Sequence, residues 1–236
     1  MKEYKGYKTI EEDWPRFYRE FPQIYDRFSG HSRTLVNIIF DKFNLDDKII
    51  LEIGCGTGIA TLELAKRAKS VIAIEIEQGM IDYASGEAYK KHFSNIEFIR
   101  ADSLSLPIAD NSVDAIVTIF AGPLKHEDSL SIVKEGGMII RAGNHYRWYG
   151  GELRSVILGK NSISRIDYKS DKRLREQGYS YMDVWANFSY PSVQEALETY
   201  GFIFGKKAID YLLERNMNVI RQKARIFYTE VKKGSV

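Results

Sequence analysis

The sequence predicts a doubly wound α/β fold, a mostly parallel sheet with helices on both faces. Three observations carry this reading. Strand-length apolar runs alternate with helix-length amphipathic segments between residues 48 and 143. The first run enters a glycine-rich turn that opens a helix, "LEIGCGTGIATLELA" (51–65). The 236 residues, 44% of them hydrophobic, suffice for one well-buried core. Strands alternating with helices imply right-handed crossovers, and such sheets bind ligands beyond the carboxyl ends of their strands.

The elements follow in order. Trp14, Tyr18, Phe21, Tyr25 and Phe28 recur at steps of three or four, and Pro22 divides them into one or two short helices. "SRTLVNIIFDKF" (32–43) places Leu35, Ile38, Ile39 and Phe43 near one helical face. "KIILEI" (48–53) reads as a strand buried on both faces. It is followed by a helix (59–68), a strand (70–76), a helix (78–92) and strands at 96–101 and 112–120; a helix around 126–134 precedes a strand at 136–143. Beyond Gly143 the expected elements are a helix near 150–158, an irregular basic segment through 176 and a strand at 181–190. Helices at 192–200 and 205–216 and a final strand at 223–231 complete the chain. The organisation expected is a single domain. Residues 1–46 form an amino-terminal helical cap, 47–143 the ligand-binding core, and 144–236 a substrate-side insertion with the carboxyl-terminal strands.

Composition excludes several classes. A single cysteine, Cys55, leaves no disulfide framework and no cysteine-rich zinc site, so no metal is invoked. No apolar run reaches about 18 residues and no charged-then-apolar segment opens the chain, so a cytoplasmic protein without a membrane partner is expected. The net charge of +2 hides an asymmetry: residues 1–140 hold 17 Lys and Arg against 22 Asp and Glu, and residues 141–236 hold 17 against 10.

Gly54, Gly56 and Gly58 form G-x-G-x-G, with Ile59 where the dinucleotide fingerprint requires its third glycine. A pyrophosphate ligand is therefore disfavoured. Glu75, ending the second strand, can accept hydrogen bonds from both hydroxyls of a ribose, and Asp102, ending the third, can accept from an adenine amine. Ile76 and Leu104 follow them and could sandwich a purine. The set describes an adenosine site.

At these residues the sequence resembles the class I S-adenosylmethionine-dependent methyltransferases, particularly their small-molecule, type 11-like branch. The resemblance spans about Tyr25 to Gly143 in four ordered blocks, "ILEIGCGTG", "VIAIEIEQGMIDYA", "IRADSLSLPIADNSVDAIV" and "VKEGGMIIRAG". It implies a Rossmann-like seven-stranded sheet with the last strand antiparallel. It implies S-adenosylmethionine as cofactor, with Gly54, Gly56 and Gly58 along its methionine and ribose, Glu75 on the ribose hydroxyls, and Asp102 with the Ser103 backbone at the adenine. Thr118 to Phe120 would face the sulfur and the substrate, and Glu52 would support the loop and the amino group. Cys55 and Met80 complete the expected cofactor-binding set.

No catalytic residue is required, because a sulfonium activates its own methyl group and the enzyme must chiefly align a nucleophile and exclude water. His126 and His145, after the fourth and fifth strands, are the candidates for accepting a substrate proton, weighed against solvated loop histidines. His31 and His92 fall at helix ends and receive no role. Cys55, inside the turn, reads as a small buried residue rather than a nucleophile. The aromatic series before the first strand reads equally as a lid or as a packed helix.

"KNSISRIDYKSDKRLR" (160–175) carries six Lys and Arg against two Asp and is flanked by aromatics, a pattern open to RNA contacts, an acceptor pocket or a solvated surface. "TIFAGP" after the fourth strand departs from the "NPPY" of enzymes methylating amino groups of adenine or glutamine. A small-molecule acceptor is thus expected first. An RNA or protein methyltransferase using residues 160–175, and a non-catalytic adenosyl-cofactor-binding protein, stand as alternatives.

Overall fold

The apolar runs become strands of one sheet whose order reverses beside the first of them. The computed structural model describes residues 17, 20–122, 124–145, 151–153 and 165–233. In chain order the elements begin with helices α1 (Pro22–Phe28) and α2 (His31–Lys42), strand β1 (Ile49–Ile53), α3 (Ile59–Ala65), β2 (Ser70–Glu75), α4 (Gln78–Lys90) and β3 (Ile96–Arg100). They continue with β4 (Val113–Ile119), α5 (His126–Ile132), β5 (Val133–Asn144), α6 (Arg165–Glu176), β6 (Ser180–Ser189), α7 (Val193–Phe204), α8 (Lys206–Glu214) and β7 (Val219–Glu230).

Among the described residues these strands form one seven-stranded sheet in the order β3-β2-β1-β4-β5-β7-β6. The first five are parallel, whereas β7 runs antiparallel to both β5 and β6. The chain builds β1 to β3 outward and then returns to lay β4 on the other side of β1. That reversal opens a crevice between adjacent strand ends, where doubly wound sheets hold their ligands.

Alternate residues of each strand face opposite layers, which is why the central strands are apolar throughout. Ile50, Val71 and Val117 join Leu35, Ile39 and Leu64 of α2 and α3 on one side. Leu51, Ile74 and Ile116 join Ile132 of α5 and Leu174 of α6 on the other. Each such fully buried aliphatic side chain contributes about 1.5–3 kcal/mol. Asp114, last acid of the "DNSVD" stretch, is structural: its carboxylate accepts from the Ile49 amide at 2.8 Å and from Lys134 Nζ at 2.9 Å, joining the starts of β1, β4 and β5.

The sequence reading needs three corrections. Residues 165–176 are helical rather than irregular; the inner face of α6 pairs Leu174 with a buried Asp171, so the charged sequence lacks an apolar stripe. β5 begins at Val133, directly after α5, and β7 begins at Val219, because each is extended by pairing with its neighbours. The helix expected near 150–158 is described only over 151–153, and Trp14 and Tyr18 lie outside the described residues. Among the described residues no helix is long and apolar enough to cross a membrane.

Candidate active site

β1 ends in a turn where Gly54, Gly56 and Gly58 take φ of 76°, 54° and 80°. A Cβ on Gly54 would lie 2.6 Å from the Ala121 Cβ, and one on Gly58 2.8 Å from the Ala84 Cβ, so space and torsion both require glycine there. The amides of Gly54 and Cys55 donate to the Ile74 carbonyl at 2.7 and 3.0 Å, which pins the turn to the end of β2. Glu75 makes the same crossing from the other side. Its Oε2 accepts from the Gly56 amide at 3.1 Å, and its Oε1 accepts from the amides of Ile76 and Glu77 at 2.8 and 3.1 Å.

Beyond the ends of β1 to β4 lies a cavity of about 380 Å³, within the roughly 300–1,000 Å³ usual for small-molecule sites. Of the residues expected from sequence, Gly54, Gly56, Glu75, Ile76, Met80, Asp102, Ser103 and Phe120 line it. Asp102 Oδ1 accepts from the Leu104 amide at 2.9 Å, which fixes the carboxylate at the rim. Ile76 is 53% exposed and Leu104 40%, two large apolar side chains left open beside the acidic pair.

Glu52, Cys55, Gly58, Leu104 and Thr118 are not among the lining residues. Glu52 is buried behind the turn, 2% exposed, and its Oε2 has no hydrogen-bond partner among the described residues. Burial, reinforced by the nearby Glu75 charge, pushes its carboxyl up to about 8. Cys55 is buried as well, and burial drives its thiol well above the ordinary range, which suits a packed residue and not a nucleophile.

The aromatic cap meets the site through Tyr25. This residue lines the cavity, with Cε1 3.4 Å from where a Gly56 Cβ would be. Behind it, Phe17 and Phe21 lie 6.1 and 4.8 Å from the Phe202 ring of α7, so the cap is packed while its last turn faces the ligand space.

Phe120, after β4, takes φ 53°, a left-handed backbone that costs a bulky residue about 1–3 kcal/mol. Its amide donates to the Ala142 carbonyl at 2.8 Å, and its ring meets His31 edge-on at 4.9 Å. Burial lowers His31 to about 4, so this imidazole is neutral at pH 7. A role for His31 in holding Phe120 was not legible from its position at a helix end.

Phe120 and Ala121 also line a second cavity of about 140 Å³, together with Thr118, Arg141, Asp171 and Arg225. Arg225, 8% exposed, is held by Asp183 through two hydrogen bonds of 2.6 and 2.9 Å and by Asp171 at 2.7 Å. Against the desolvation of its site, the Arg225 hydrogen bonds hold Asp183 below the usual carboxylate range. His145 Nε2 lies 3.2 Å from the same guanidinium and 3.3 Å from Asp183, so His145 is engaged in this network and lines neither cavity. His126 also lines neither; its Nδ1 meets the Tyr179 hydroxyl at 3.2 Å. Sequence reasoning passed over Arg141 and Arg225, although a charge inside the apolar runs "MIIRAG" and "ARIF" was a usable signal.

Residues 50–141 match a family described as a methyltransferase domain. The chain is 37% identical over 94 residues to the biotin biosynthesis bifunctional protein BioHC of Cellvibrio japonicus, covering 39% of this chain and 18% of that protein. An uncharacterized methyltransferase of Alkaliphilus oremlandii is 26% identical over 196 residues, 78% of this chain and 85% of the relative. The crystal structure of a SAM-dependent methyltransferase from Aquifex aeolicus superimposes with a TM-score of 0.52 at 15% identity, covering 94% and 96% of the two chains. The chain spans between 18% and 27% of the length of the first curated relatives it matches. The glycine turn, the acidic strand ends and these likenesses agree: residues 50–141 match a methyltransferase-domain family, and the seven-stranded sheet has the Rossmann-like fold of the S-adenosylmethionine-dependent methyltransferases it resembles.

Proposed function

We propose that the protein binds S-adenosylmethionine in the larger cavity and transfers its methyl group to a small-molecule acceptor. The observation that carries the reading is the convergence of Gly54, Gly56, Glu75 and Asp102 on one cavity at the sheet's reversal point. The fit rests on two further features. At Gly54, which lines the cavity, a side chain would collide with Ala121, so bare backbone borders the ligand there, and behind the turn the buried Glu52 Oε2 lacks a partner among the described residues that a water can supply.

In this reading Glu75 and Asp102 hold the ribose and the adenine amine between Ile76 and Leu104, and Glu52 backs the amino-acid end. When bound, the cofactor supplies a methyl group already activated on a sulfonium. The chain's own contribution is alignment and dryness: Tyr25 closes over the turn, and Phe120 separates cofactor space from acceptor space. Residues 1–46 serve as the cap and residues 144–236 carry the acceptor side.

An acceptor space of only about 140 Å³ favours a small molecule. Exposed Lys169, Lys172 and Arg173 on α6 support the second reading, an RNA acceptor, whose binding would weaken steeply with salt. Calorimetry with S-adenosylhomocysteine tests the cofactor. Saturable binding, with none for NAD, is expected; the reverse result defeats the reading.

A further inference from the structure

Arg141 lines the acceptor cavity as a charge that no acid among the described residues pairs. It lies near the carboxyl end of β5, paired in register with Thr118 of β4 and Phe227 of β7, and all three line the cavity. Its neighbour Arg225 is fully engaged by Asp171 and Asp183. The Arg141 guanidinium, by contrast, makes no hydrogen bond or ion pair among the described residues. Its nitrogens are also absent from the sealed, unpartnered polar atoms, which are Arg27 Nε, Glu52 Oε2, Thr57 Oγ1 and Thr61 Oγ1. The guanidinium therefore opens onto the cavity it lines. Arg173 stands near enough to add positive charge, and burial disfavours the charged form of Arg141.

A permanently charged, half-buried fork of five donors without an acceptor is poorly solvated, and a planar oxyanion is its geometric complement. We infer that the methyl acceptor carries an oxyanion, a carboxylate or a phosphate monoester, which Arg141 binds on the far side of Phe120 from the cofactor. Thr118 and Ser170, which also line the cavity, supply hydroxyl donors. Arg141 is thus a specificity-determining residue: it selects anionic acceptors and fixes the end remote from the methylated atom. This inference rests on the methyl-transfer reading.

The test has two stages. S-adenosylhomocysteine is first titrated into wild type, Arg141→Gln and Arg141→Lys, and equal affinities are expected because Arg141 does not line the cofactor cavity. Benzoate, phenyl phosphate and neutral benzamide are then titrated into the saturated proteins. Saturable binding of an anion and none of benzamide is expected for wild type, with a loss of at least about tenfold in Arg141→Gln and a partial loss in Arg141→Lys. Preference for benzoate or for phenyl phosphate names the oxyanion. Anion affinity unchanged in Arg141→Gln, or no anion binding by a wild type that still takes S-adenosylhomocysteine, overturns the inference alone. Failure of wild type in the first stage overturns the cofactor reading, and the inference with it.

Discussion

The Gly56 amide donates to Glu75 Oε2 at 3.1 Å, so the turn after β1 and the carboxylate ending β2 hold each other in place before any ligand arrives. Glu75→Ala removes this anchor together with the proposed ribose acceptor. S-adenosylhomocysteine binding is expected to weaken at least about tenfold, since hydrogen bonds to a charged acceptor are worth about 1.5–3 kcal/mol each. Calorimetry showing unchanged affinity would remove Glu75 from the site.

Gly58 and Gly86 separate backbone need from helix propensity. Gly58→Ala forces a left-handed alanine and a 2.8 Å approach to the Ala84 Cβ, and a loss of about 1–3 kcal/mol is expected in urea unfolding. Gly86, inside α4, has open space where its Cβ would be, so Gly86→Ala is expected to gain about 0.5–1 kcal/mol.

Glu52 sets a pH dependence of known sign. Its folded value of about 8 lies above the ordinary carboxylate value, so the folded state binds more protons than the unfolded chain between about 4.5 and 8. The contribution is present in full below that window and is lost as pH rises through it. Glu52→Gln abolishes the loss. Its urea midpoint should exceed that of wild type by more at pH 8 than at pH 5, and an equal offset at both pH values would contradict the buried carboxyl.

His31 runs the other way. Lowered to about 4, it leaves the unfolded chain the better proton binder below about pH 6.5, so stability falls as pH drops from there towards 4. NMR should find its ring neutral through pH 6, and a midpoint near 6.5 would place the imidazole in water rather than against Phe120.

Arg225→Met strands Asp171 and Asp183, and removal of one partner from a buried ion pair costs about 3–5 kcal/mol. Unfolding in urea should register most of that loss. Arg225→Lys should recover little, because one ammonium cannot replace three hydrogen bonds directed at two carboxylates.

The strands that build the cofactor cavity were legible because a parallel strand covered on both faces has to be apolar throughout, and Leu51, Ile74 and Ile116 announce that directly. Glu75 and Asp102 were legible as cavity-lining residues because they stand at or just beyond the carboxyl ends of β2 and β3, at the edge where the sheet opens. The acceptor side was not. α6 hides its inner face behind Asp171, whose burial depends on Arg225 arriving from a strand 54 residues later. Tyr25 meets Gly56 only because Phe17 and Phe21 dock on Phe202, a contact that spans most of the chain and leaves no local pattern.

The position of β7 between β5 and β6 imposes an order on synthesis. Every strand bordering the larger cavity is complete by residue 119, so a growing chain can assemble that half early, from neighbours in sequence. The acceptor half has to wait. Until β7 emerges, β5 has only β4 beside it and β6 has no neighbour in the described sheet, and Asp171 and Asp183 lack the guanidinium that joins them. A truncated nascent product would therefore hold the larger cavity, the proposed donor half, while lacking the smaller one proposed to choose the recipient.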